Sequence, residues 1–318
     1  MIKSRHGQPS NDPESLAGQF ISKILETRVS RGKISILLPS GEKLEISGNQ
    51  AGTHAYVQVN KYRAFTRVWG NGSLGLAEGY MEKDWETKSL VTLLAFLADN
   101  EKKFESLAKG NLIQRLKDSW TRKINRNSKS GSRKNIAYHY DLGNDFYSLW
   151  LDESMTYSSG IFRKTNDLAK AQTEKYERLC EVAALKKDHR VLEIGCGWGG
   201  LLEHLSEKGC QAEGISVSKE QVKFTNERLT DKESVSVRFQ DYRDVEGQYD
   251  RIFSIEMFEA VGHQYWDLFA KRTSELLKKD GIAVMQMITI DEHIFKNYQK
   301  RTDFIQKYIF PGGMLPTL

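Results

Sequence analysis

The spacing of apolar and polar residues predicts two parts with different folds. In the first part, KISILLPSGEKLEIS (33–47) alternates apolar and polar positions on both sides of a Pro-Ser-Gly turn (39–41), which predicts a β-hairpin. AYVQV (55–59) predicts another strand, and from Leu74 apolar residues recur every three or four positions, as they do in amphipathic helices. We therefore predict a small α+β domain over residues 1–114.

The C-terminal part alternates between strand-like and helical segments. Its strand-like apolar runs are RVLEIG, CQAEGIS, VSVRFQ, YDRIFSIEMF and IAVMQMITI. The helical patterns around them cover about residues 168–185, 199–208, 218–229 and 264–278. Strands separated by helices favour right-handed βαβ units, which give a parallel sheet with helices on both faces. This order predicts an α/β, Rossmann-like domain over residues 135–318.

A basic segment separates the two parts. Residues 115–134 (RLKDSWTRKINRNSKSGSRK) contain eight Lys or Arg and one acidic residue, Asp118, with Ser and Gly near the end. This composition predicts a solvated interdomain linker. Its positive charge would also attract anionic phospholipid headgroups, by about 1 kcal/mol for each charge close to a membrane.

Composition and charge narrow the class of protein. A chain of 318 residues with 39% hydrophobic and 28% charged residues is typical of a globular protein with two domains. It has no apolar run long enough for a membrane-spanning helix, and its first residues lack the apolar core of a signal peptide. Three cysteines without a CxxC pair fit a reducing cytosol and argue against a zinc site. The net charge of +5 permits contact with an anionic surface, but no basic motif interleaved with aromatic residues indicates nucleic-acid binding.

Four glycines in six positions follow the strand-like run VLEI (191–194). A P-loop requires GxxxxGK[ST], and no Lys-Ser or Lys-Thr follows these glycines, so a nucleoside triphosphate site is excluded. Gly195, Gly197 and Gly200 satisfy the dinucleotide pattern GxGxxG, and glycines also occur in turns that bind nothing. The glycines alone leave these two alternatives open.

Two acidic residues near this turn favour S-adenosylmethionine over a dinucleotide. Glu193 stands two residues before the first glycine, where a carboxylate suits the ammonium of a methionine moiety better than a pyrophosphate. A dinucleotide site needs an acid at the tip of the second strand to bind the ribose, whereas Glu213 lies inside that predicted strand. The glycines would let the backbone approach such a ligand closely. We therefore predict that the turn binds S-adenosylmethionine.

Six blocks in the chain resemble one enzyme family. In order they are AYHYDLGNDFYSLWLDESMTYSSGIF (137–162), VLEIGCGWGGL, GISVSKEQ, FQDYRD, EMFEAVGHQYW and KYIFPGGMLP. Together they resemble the cyclopropane-fatty-acyl-phospholipid synthase family, which includes the mycolic acid cyclopropane synthases. The resemblance runs from about residue 135 to the C-terminus and extends less sharply to LGLAEGYMEKDW (74–85).

The resemblance implies an S-adenosylmethionine-dependent enzyme that acts on the double bond of an unsaturated acyl chain, usually within an intact phospholipid. It implies a peripheral enzyme that works at the cytoplasmic face of a bacterial membrane. A homodimer is compatible with the resemblance, and no nucleic-acid partner is expected. The N-terminal domain and the basic linker would help it to dock on the bilayer. A non-catalytic protein that binds cofactor or lipid is the alternative from another class.

Carried over by position, the resemblance assigns a set of cofactor residues. Tyr157 and Ser158 would lie near the methionine end of the cofactor, and Gly195 and Gly197, which follow Glu193, would line it. Ser216, Val217 and Gln221 would contact the ribose. Tyr242 and Arg243, which follow Asp241, would flank the adenine. Gln221 has a second interpretation, because Ser218-Lys-Glu-Gln221 matches a capping box, in which the Gln side chain returns to the N-cap amide.

Alkylation of a double bond needs a base only after the methyl group has been transferred. An alkene carries no proton that must leave first, so the first step requires alignment of the π bond with the sulfonium methyl in a dry site. The resulting carbocation then loses a proton from the new methyl group as the ring closes. In the family, a bound bicarbonate held by a cysteine, a glutamate, a histidine, a backbone group and a tyrosine is thought to act as this base.

The catalytic residues implied by the resemblance depart in part from the family pattern. Glu259 in MFEAVG matches the glutamate, with an ordinary acid at a helix start as its alternative. Ser159 stands where the cysteine would be, and Gln286 stands where the histidine would be. Both can still hydrogen-bond an anion, so we predict a site of Glu259, Ser159, Gln286 and Tyr157. Proton loss from a different carbon would instead give a methylene or methyl-branched chain.

The family also continues beyond FPGGMLPTL, where this sequence ends. The further residues include the last two strands of the sheet, helices over the acyl site and the bicarbonate tyrosine. We therefore expect a sheet that is incomplete at its C-terminal edge, where the apolar strand IAVMQMITI would be exposed.

Overall fold

The computed structural model describes residues 13–104, 120–121, 124–140 and 143–318. Its internal contacts divide the chain into two units, Met1–Asp118 and Ser119–Leu318. Predictions that fall on other residues, including most of the first half of the basic segment, lie outside the described residues.

The first unit contains a four-stranded sheet with the order β2-β1-β3-β4. Its strands are β1 (Arg31–Leu37), β2 (Lys43–Ser47), β3 (Gln50–Val59) and β4 (Trp85–Glu86). β1 and β2 are antiparallel and form the predicted hairpin, β3 runs parallel to β1, and β4 pairs antiparallel with β3. The buried faces of the strands alternate with exposed positions, which produced the period of two in the sequence.

Among the described residues of this unit, four helices accompany the sheet: α1 (Pro13–Glu26), α2 (Arg63–Met81), α3 (Leu90–Asp99) and α4 (Glu101–Phe104). Ile34, Ile46 and Phe96 lie in the core between sheet and helices. α2 begins at Arg63, well before the helical pattern predicted from Leu74. The glycines in this stretch obscured the apolar period, and Gly72 kinks the helix with a φ of 58°.

The second unit contains a five-stranded sheet in which neighbouring strands are all parallel. The strands are β5 (Arg190–Ile194), β6 (Gln211–Ser216), β7 (Val235–Phe239), β8 (Tyr249–Ile255) and β9 (Leu277–Gln286), in the order β7-β6-β5-β8-β9. The order changes direction beside β5, because β6 lies on one side of it and β8 on the other. Ligands of open α/β sheets bind at the carboxyl ends of the strands at this switch point.

Helices pack on both sides of this sheet. They are α5 (Lys129–Tyr140), α6 (Gly143–Ser148), α7 (Leu168–Val182), α8 (Gly200–Glu207), α9 (Lys219–Arg228), α10 (Trp266–Leu276), α11 (Glu292–Tyr298) and α12 (Phe304–Tyr308). Short 3₁₀ turns lie at Tyr242–Asp244, Phe258–Ala260 and His263–Tyr265. Val191 and Leu192 are both fully buried, in separate cores on the two faces of β5. The sheet is therefore covered on both faces, as predicted for a Rossmann-like domain.

The end of the predicted linker is structured, and that prediction needs correction for residues 127–134. They belong to the second unit and include the start of α5. The Asn127 side chain donates a hydrogen bond to the Gly312 carbonyl at 2.8 Å, and Arg243 donates to the Ser132 hydroxyl at 3.2 Å. These polar side chains resemble linker composition in the sequence, but they make tertiary contacts in the fold.

Two further findings concern the predicted edge strand and membrane spans. β9 is an edge strand among the described residues of this sheet. Within the same residues, no helix combines the length and the apolar composition needed to cross a membrane.

Candidate active site

The glycine turn connects the carboxyl end of β5 to α8. Gly195, Gly197 and Gly199 all have positive φ, at 84°, 53° and 88°, a conformation that side-chain-bearing residues rarely adopt. A Cβ at Gly195 would lie 2.7 Å from Met257 Cγ, so that side of the turn is tightly packed. A Cβ at Gly197 would meet no heavy atom within 4 Å, and Gly197 lines a cavity. At this position the bare backbone borders open space, as close approach by a ligand requires.

This cavity, which we call the cofactor cavity, lies at the switch point of the sheet. It brings together all the residues that the sequence analysis assigned to the cofactor: Tyr157, Ser158, Glu193, Gly195, Gly197, Ser216, Val217, Gln221, Asp241, Tyr242 and Arg243. These residues come from four separate segments of the chain, so their convergence is a property of the fold. Their individual contacts with a ligand stay predictions.

Glu193 is the buried acid of the cofactor cavity. It is 3% exposed, and among the described residues its Oε2 has no hydrogen-bond partner. Burial raises the pKa of its carboxyl to about 8, against the lowering effect of the nearby Lys175 ammonium. A buried carboxyl with an unused oxygen is suited to receive a cationic group, such as the ammonium of S-adenosylmethionine.

Gln221 does not complete the predicted capping box. Ser218 accepts the Gln221 N–H at 3.3 Å, but the Ser218 N–H donates to Ser216 Oγ at 3.1 Å instead of to the Gln side chain. Ser216 Oγ donates to Gln221 Oε1 at 2.8 Å, which fixes the orientation of the amide. Its Nε2 is buried without a partner among the described residues. The fold therefore leaves a donor in the cavity wall, as a ribose contact would need.

Arg243 links the wall of the cofactor cavity to α5 through hydrogen bonds. Its Nε and Nη2 donate to the two carboxylate oxygens of Asp241, each at 2.7 Å. The remaining donors reach the Asn127 carbonyl and the Ser132 hydroxyl. The Asp241 carboxylate is thus already engaged by Arg243. Tyr242, by contrast, lines the cavity with a buried hydroxyl that has no described partner, and burial raises its pKa to about 12.

Two residues of α7 that sequence reasoning missed hold Ser158 in place. Lys175 Nζ donates to Ser158 Oγ at 2.5 Å, and Gln172 Nε2 donates to the Ser158 carbonyl at 2.8 Å. Both are 1% exposed and lie three residues apart, on one face of the helix. Burial lowers the pKa of Lys175 to about 8, against the raising effects of Glu256, Glu193 and Asp152. The sequence signal that could have revealed these two residues was a Gln and a Lys at positions where the helical period predicts apolar core residues.

A second cavity, of about 520 Å³, adjoins the cofactor cavity. Tyr157, Ser158, Glu256 and Phe310 line both. The rest of its wall is mainly apolar and includes Trp150, Leu151, Leu168, Ile288, Ile305, Pro311, Met314 and Leu315. Its size and lining are those of a site for an apolar ligand.

Ser159 and Gln286 both hydrogen-bond to Glu256, a residue that lines both cavities. Gln286 Nε2 donates to Glu256 Oε1 at 2.8 Å and to Ser159 Oγ at 2.8 Å. The Ser159 N–H and hydroxyl donate to the same Glu256 oxygen at 2.9 and 3.0 Å. Glu256 is not among the predicted site residues, because its position does not match the anion site that the family resemblance implies. The adjacent Glu-x-x-Glu spacing in EMFE was the signal available.

Among the described residues, the Glu259 side chain makes no hydrogen bond to Ser159, Gln286 or Glu256. It lines the second cavity, from the 3₁₀ turn Phe258–Ala260, and its Oε1 accepts the Ile288 N–H. Its Oε2 is buried without a described partner, and burial raises the pKa of the carboxyl. Glu259 therefore lines the second cavity, but no direct hydrogen bond to Ser159 or Gln286 appears in the described part of the chain.

The arrangement does not fit the bicarbonate that the family resemblance implies. The donors at the cysteine and histidine positions, Ser159 and Gln286, are already used by the Glu256 carboxylate. A further anion would also add to the repulsion between Glu256 and Glu259, whose carboxyl groups already interact, and like charges that share a site are costly. S-adenosylmethionine, in contrast, fits the acid, the free amide donor and the bare backbone of the cofactor cavity.

Comparison with known proteins supports the family resemblance indicated by the six sequence blocks. The profile of the mycolic acid cyclopropane synthetase family matches residues 127–318. The chain is 36% identical over 270 residues to a cyclopropane-fatty-acyl-phospholipid synthase of Escherichia coli K12, covering 83% of this chain and 68% of that protein. It is 35% identical over 268 residues to a tuberculostearic acid methyltransferase of Mycobacterium tuberculosis, covering 79% of this chain and 61% of that protein. It thus spans about two thirds or less of the length of these relatives.

Solved structures of the same family have the same fold. A mycolic acid cyclopropane synthase crystallised with SAH (S-adenosylhomocysteine) and CTAB matches with a TM-score of 0.54 and 32% identity, over 58% of this chain and 70% of that chain. A cyclopropane synthase from Mycobacterium tuberculosis matches with a TM-score of 0.53 and 26% identity over the same shares. The predicted Rossmann-like methyltransferase fold is confirmed. The chain belongs to the mycolic acid cyclopropane synthetase family of S-adenosylmethionine-dependent methyltransferases.

Proposed function

We propose that this protein transfers the methyl group of S-adenosylmethionine to the double bond of an unsaturated fatty acyl chain in a phospholipid, forming a cyclopropane fatty acid. The observation that carries the proposal is the wall shared by the two cavities. Tyr157, Ser158 and Glu256 border both, so a methyl donor in one cavity would face an apolar chain in the other. Holding two reactants side by side is the main requirement of this reaction.

The second cavity supports an acyl chain as the acceptor. Each buried methylene group contributes about 0.8 kcal/mol, so a long chain gains enough to bind without specific polar contacts. The relative solved with CTAB, a detergent with a long alkyl chain, binds a molecule of this general shape. The names of the two sequence relatives also point to fatty acyl substrates.

The cofactor cavity supports S-adenosylmethionine as the donor, which is consumed as a substrate and supplies an electrophilic sulfonium methyl group. Glu193 would bind its ammonium, and Gln221 Nε2 would donate to a ribose hydroxyl. Gly197 would allow the ligand to contact the backbone. Lys175 and Gln172 would keep Ser158 in position beside the methionine end.

Aromatic rings at the junction suit the cationic stage of the reaction. Attack by the alkene leaves a positive charge on the neighbouring chain carbon, and ring faces stabilise cations. The Tyr157 ring lies 5.3 Å from the rings of both Tyr147 and Trp150 and 6.4 Å from that of Phe310. Tyr157, Trp150 and Phe310, which line the second cavity, would stabilise the charge while limiting the access of water.

The lipid substrate places the proposed reaction at a membrane surface. We propose a peripheral enzyme at the cytoplasmic face, with the first unit helping to dock it. In that unit Phe20 and Trp69 stack at 5.5 Å and are each 53% exposed, and exposed aromatic residues favour the membrane interface. The homodimer expected from the family resemblance belongs to the same proposal, and analytical ultracentrifugation tests it.

A second product has specific support. Ser159 and Gln286 depart from the anion-binding residues that the resemblance implies, and one relative is named for methylation of a fatty acid without a cyclopropane. If a hydride first shifted from the methylated carbon to the cationic carbon and the methyl group then lost a proton, the product would be a methylene-branched chain. The methyl-transfer step would be the same.

Incubation with S-adenosylmethionine and vesicles of a monounsaturated phospholipid tests the proposal. Mass spectrometry and NMR of the released fatty acids should show an added methylene unit with cyclopropane protons. The same added mass with olefinic protons would support the second product. Vesicles of a saturated phospholipid are the control and should gain nothing. Cofactor binding without any lipid product would support the non-catalytic alternative.

A further inference from the structure

The donors at the positions that the resemblance assigns to a bound anion hydrogen-bond instead to a carboxylate of the protein itself. Three hydrogen bonds, from the Ser159 N–H, the Ser159 hydroxyl and the Gln286 amide, converge on Glu256 Oε1. The resemblance assigns the Ser159 and Gln286 positions to a bound bicarbonate. We propose that the Glu256 carboxylate replaces that bicarbonate and is the catalytic base of the reaction. This inference rests on the proposed function and names the proton acceptor within it.

The position of Glu256 suits this role. It directly follows β8 and lines both the cofactor cavity and the second cavity. A group at this junction lies where a methyl group would pass from donor to acyl chain. No other carboxylate among the described residues lines both cavities, because Glu193 and Asp241 line only the first and Glu259 and Asp303 line only the second.

The hydrogen bonds leave one oxygen of Glu256 available. All three donors contact Oε1, and among the described residues Oε2 makes no hydrogen bond. Donors on one oxygen hold the carboxylate in a fixed orientation and stabilise its negative charge. The other oxygen is then free to accept a proton. Bicarbonate would offer the same two features, an anchored part and a basic oxygen.

The backbone at Glu256 is strained in a way that keeps the carboxylate at the junction. Its φ is 46°, in the left-handed region that residues other than glycine rarely adopt. The Glu256 N–H donates to the Gln286 carbonyl at 2.8 Å, which ties this unusual turn to β9. Backbone and side chain of Glu256 are therefore both held by Gln286.

The charge of Glu256 acts on the groups around it. It favours the charged form of Lys175, and it adds to the burial that raises the pKa values of Tyr157 and Glu259. A cation that forms on the acyl chain beside these groups would be stabilised by the same charge. Addition of a separate bicarbonate would place a second anion in a site that already contains one.

The reaction balances with this one carboxylate. The alkene π electrons form a bond to the methyl carbon of S-adenosylmethionine while the sulfur–carbon bond breaks and its electron pair stays on sulfur. Glu256 Oε2 then accepts a proton from the new methyl group, and the electrons of that C–H bond form the last bond of the cyclopropane. The resulting carboxylic acid returns its proton to water. The step consumes no oxidant or reductant.

Turnover of monounsaturated phospholipid vesicles with and without bicarbonate tests the inference. In carbonate-free buffer the wild-type protein should convert lipid at its full rate, and added bicarbonate should not increase it. Glu256→Gln should lower turnover by at least about a hundredfold, the range for loss of a general base, with unchanged affinity for S-adenosylmethionine. Glu246→Gln, at an exposed acid, is the matched control and should keep the wild-type rate.

A second variant keeps the test informative if Glu256→Gln folds poorly. Glu256→Gly relieves the positive φ and frees the donors of Ser159 and Gln286, so added bicarbonate or formate should restore turnover at least tenfold. A wild-type requirement for bicarbonate, or full turnover by Glu256→Gln in carbonate-free buffer, would overturn the inference while leaving the proposed function intact. Absence of any lipid product from the wild-type protein would overturn both.

Discussion

The buried ammonium of Lys175 donates a hydrogen bond to the hydroxyl of Ser158 at 2.5 Å, from a helix that packs beside the cofactor cavity. Ser158 lines both cavities, so a residue outside the matched sequence blocks controls the position of one inside them. Gln172 Nε2 donates a hydrogen bond to the backbone carbonyl of the same serine. The geometry of the reaction site therefore depends on α7 as well as on the glycine turn.

Replacement of Lys175 tests this dependence. Lys175→Met approximately keeps the length of the side chain but leaves the Ser158 hydroxyl without its Lys175 donor and Glu193 without the ammonium that favours its ionised form. We expect a roughly tenfold loss of affinity for S-adenosylmethionine, corresponding to about one buried hydrogen bond to a charged group. Isothermal titration calorimetry measures it. Lys170→Met, on an exposed position of the same helix, should bind normally, and equal affinities of the two variants would refute the role of Lys175.

Gly197→Val should abolish binding of S-adenosylmethionine. The new side chain would project into the cofactor cavity, and a β-branched residue is strained at a φ of 53°. Gly41→Val is the matched control, because Gly41 also has a positive φ and open space around its Cβ but lies in the hairpin turn of the first unit. Both variants should lose stability, and Gly197→Val alone should lose binding. Normal affinity in Gly197→Val would refute the placement of the cofactor.

Binding of S-adenosylmethionine should release a proton from Glu193. Burial raises the pKa of this carboxyl to about 8, so in the free protein it is mostly protonated at neutral pH. A bound ammonium favours the ionised form, and affinity should therefore rise with pH until the pH passes that value. Calorimetry at neutral pH, in buffers of different ionisation enthalpy, should detect about one released proton for the wild-type protein. Glu193→Gln should release none, and identical release by both proteins would contradict the prediction.

Gln221→Glu distinguishes a ligand contact from a helix cap. The substitution keeps an oxygen for Ser216 but removes the free Nε2 donor. Affinity for S-adenosylmethionine should fall about tenfold with little change in thermal stability. Ser218→Ala should do the reverse, since it removes the N-cap of α9 and costs about 1 kcal/mol of stability. A Gln221→Glu variant that loses stability but retains affinity would restore the capping interpretation.

Local sequence patterns were sufficient for the fold of the second unit. The strands β5 to β9 are short apolar runs between clear helical periods, and their alternation implies a parallel sheet. The same reasoning failed at residues 127–134, because Asn127 and Ser132 look like linker residues until Gly312 and Arg243 are brought to them by the fold. Contacts between residues far apart in sequence leave no period in it.

The candidate site could likewise be predicted only in part from the sequence. Matching by position identified residues that line the cofactor cavity, including Gln221, and the chemistry of the glycine turn identified Glu193, because these residues lie on strand ends and turns of fixed geometry. It could not reveal that Ser159 and Gln286 converge on Glu256, since that requires the register of β8 against β9. It also left open whether Gln221 caps a helix, a choice decided by the position of Ser216.

The fate of a labelled methyl group tests the central claim most directly. S-adenosylmethionine with a trideuterated methyl group should be incubated with the protein and monounsaturated phospholipid vesicles, and the deuterium in each acyl chain counted by mass spectrometry. We predict that each modified chain gains one carbon and keeps two of the three deuterium atoms, because the new methyl group loses one to the base as the ring closes. Acyl chains without deuterium, from a protein that binds S-adenosylmethionine, would contradict the account.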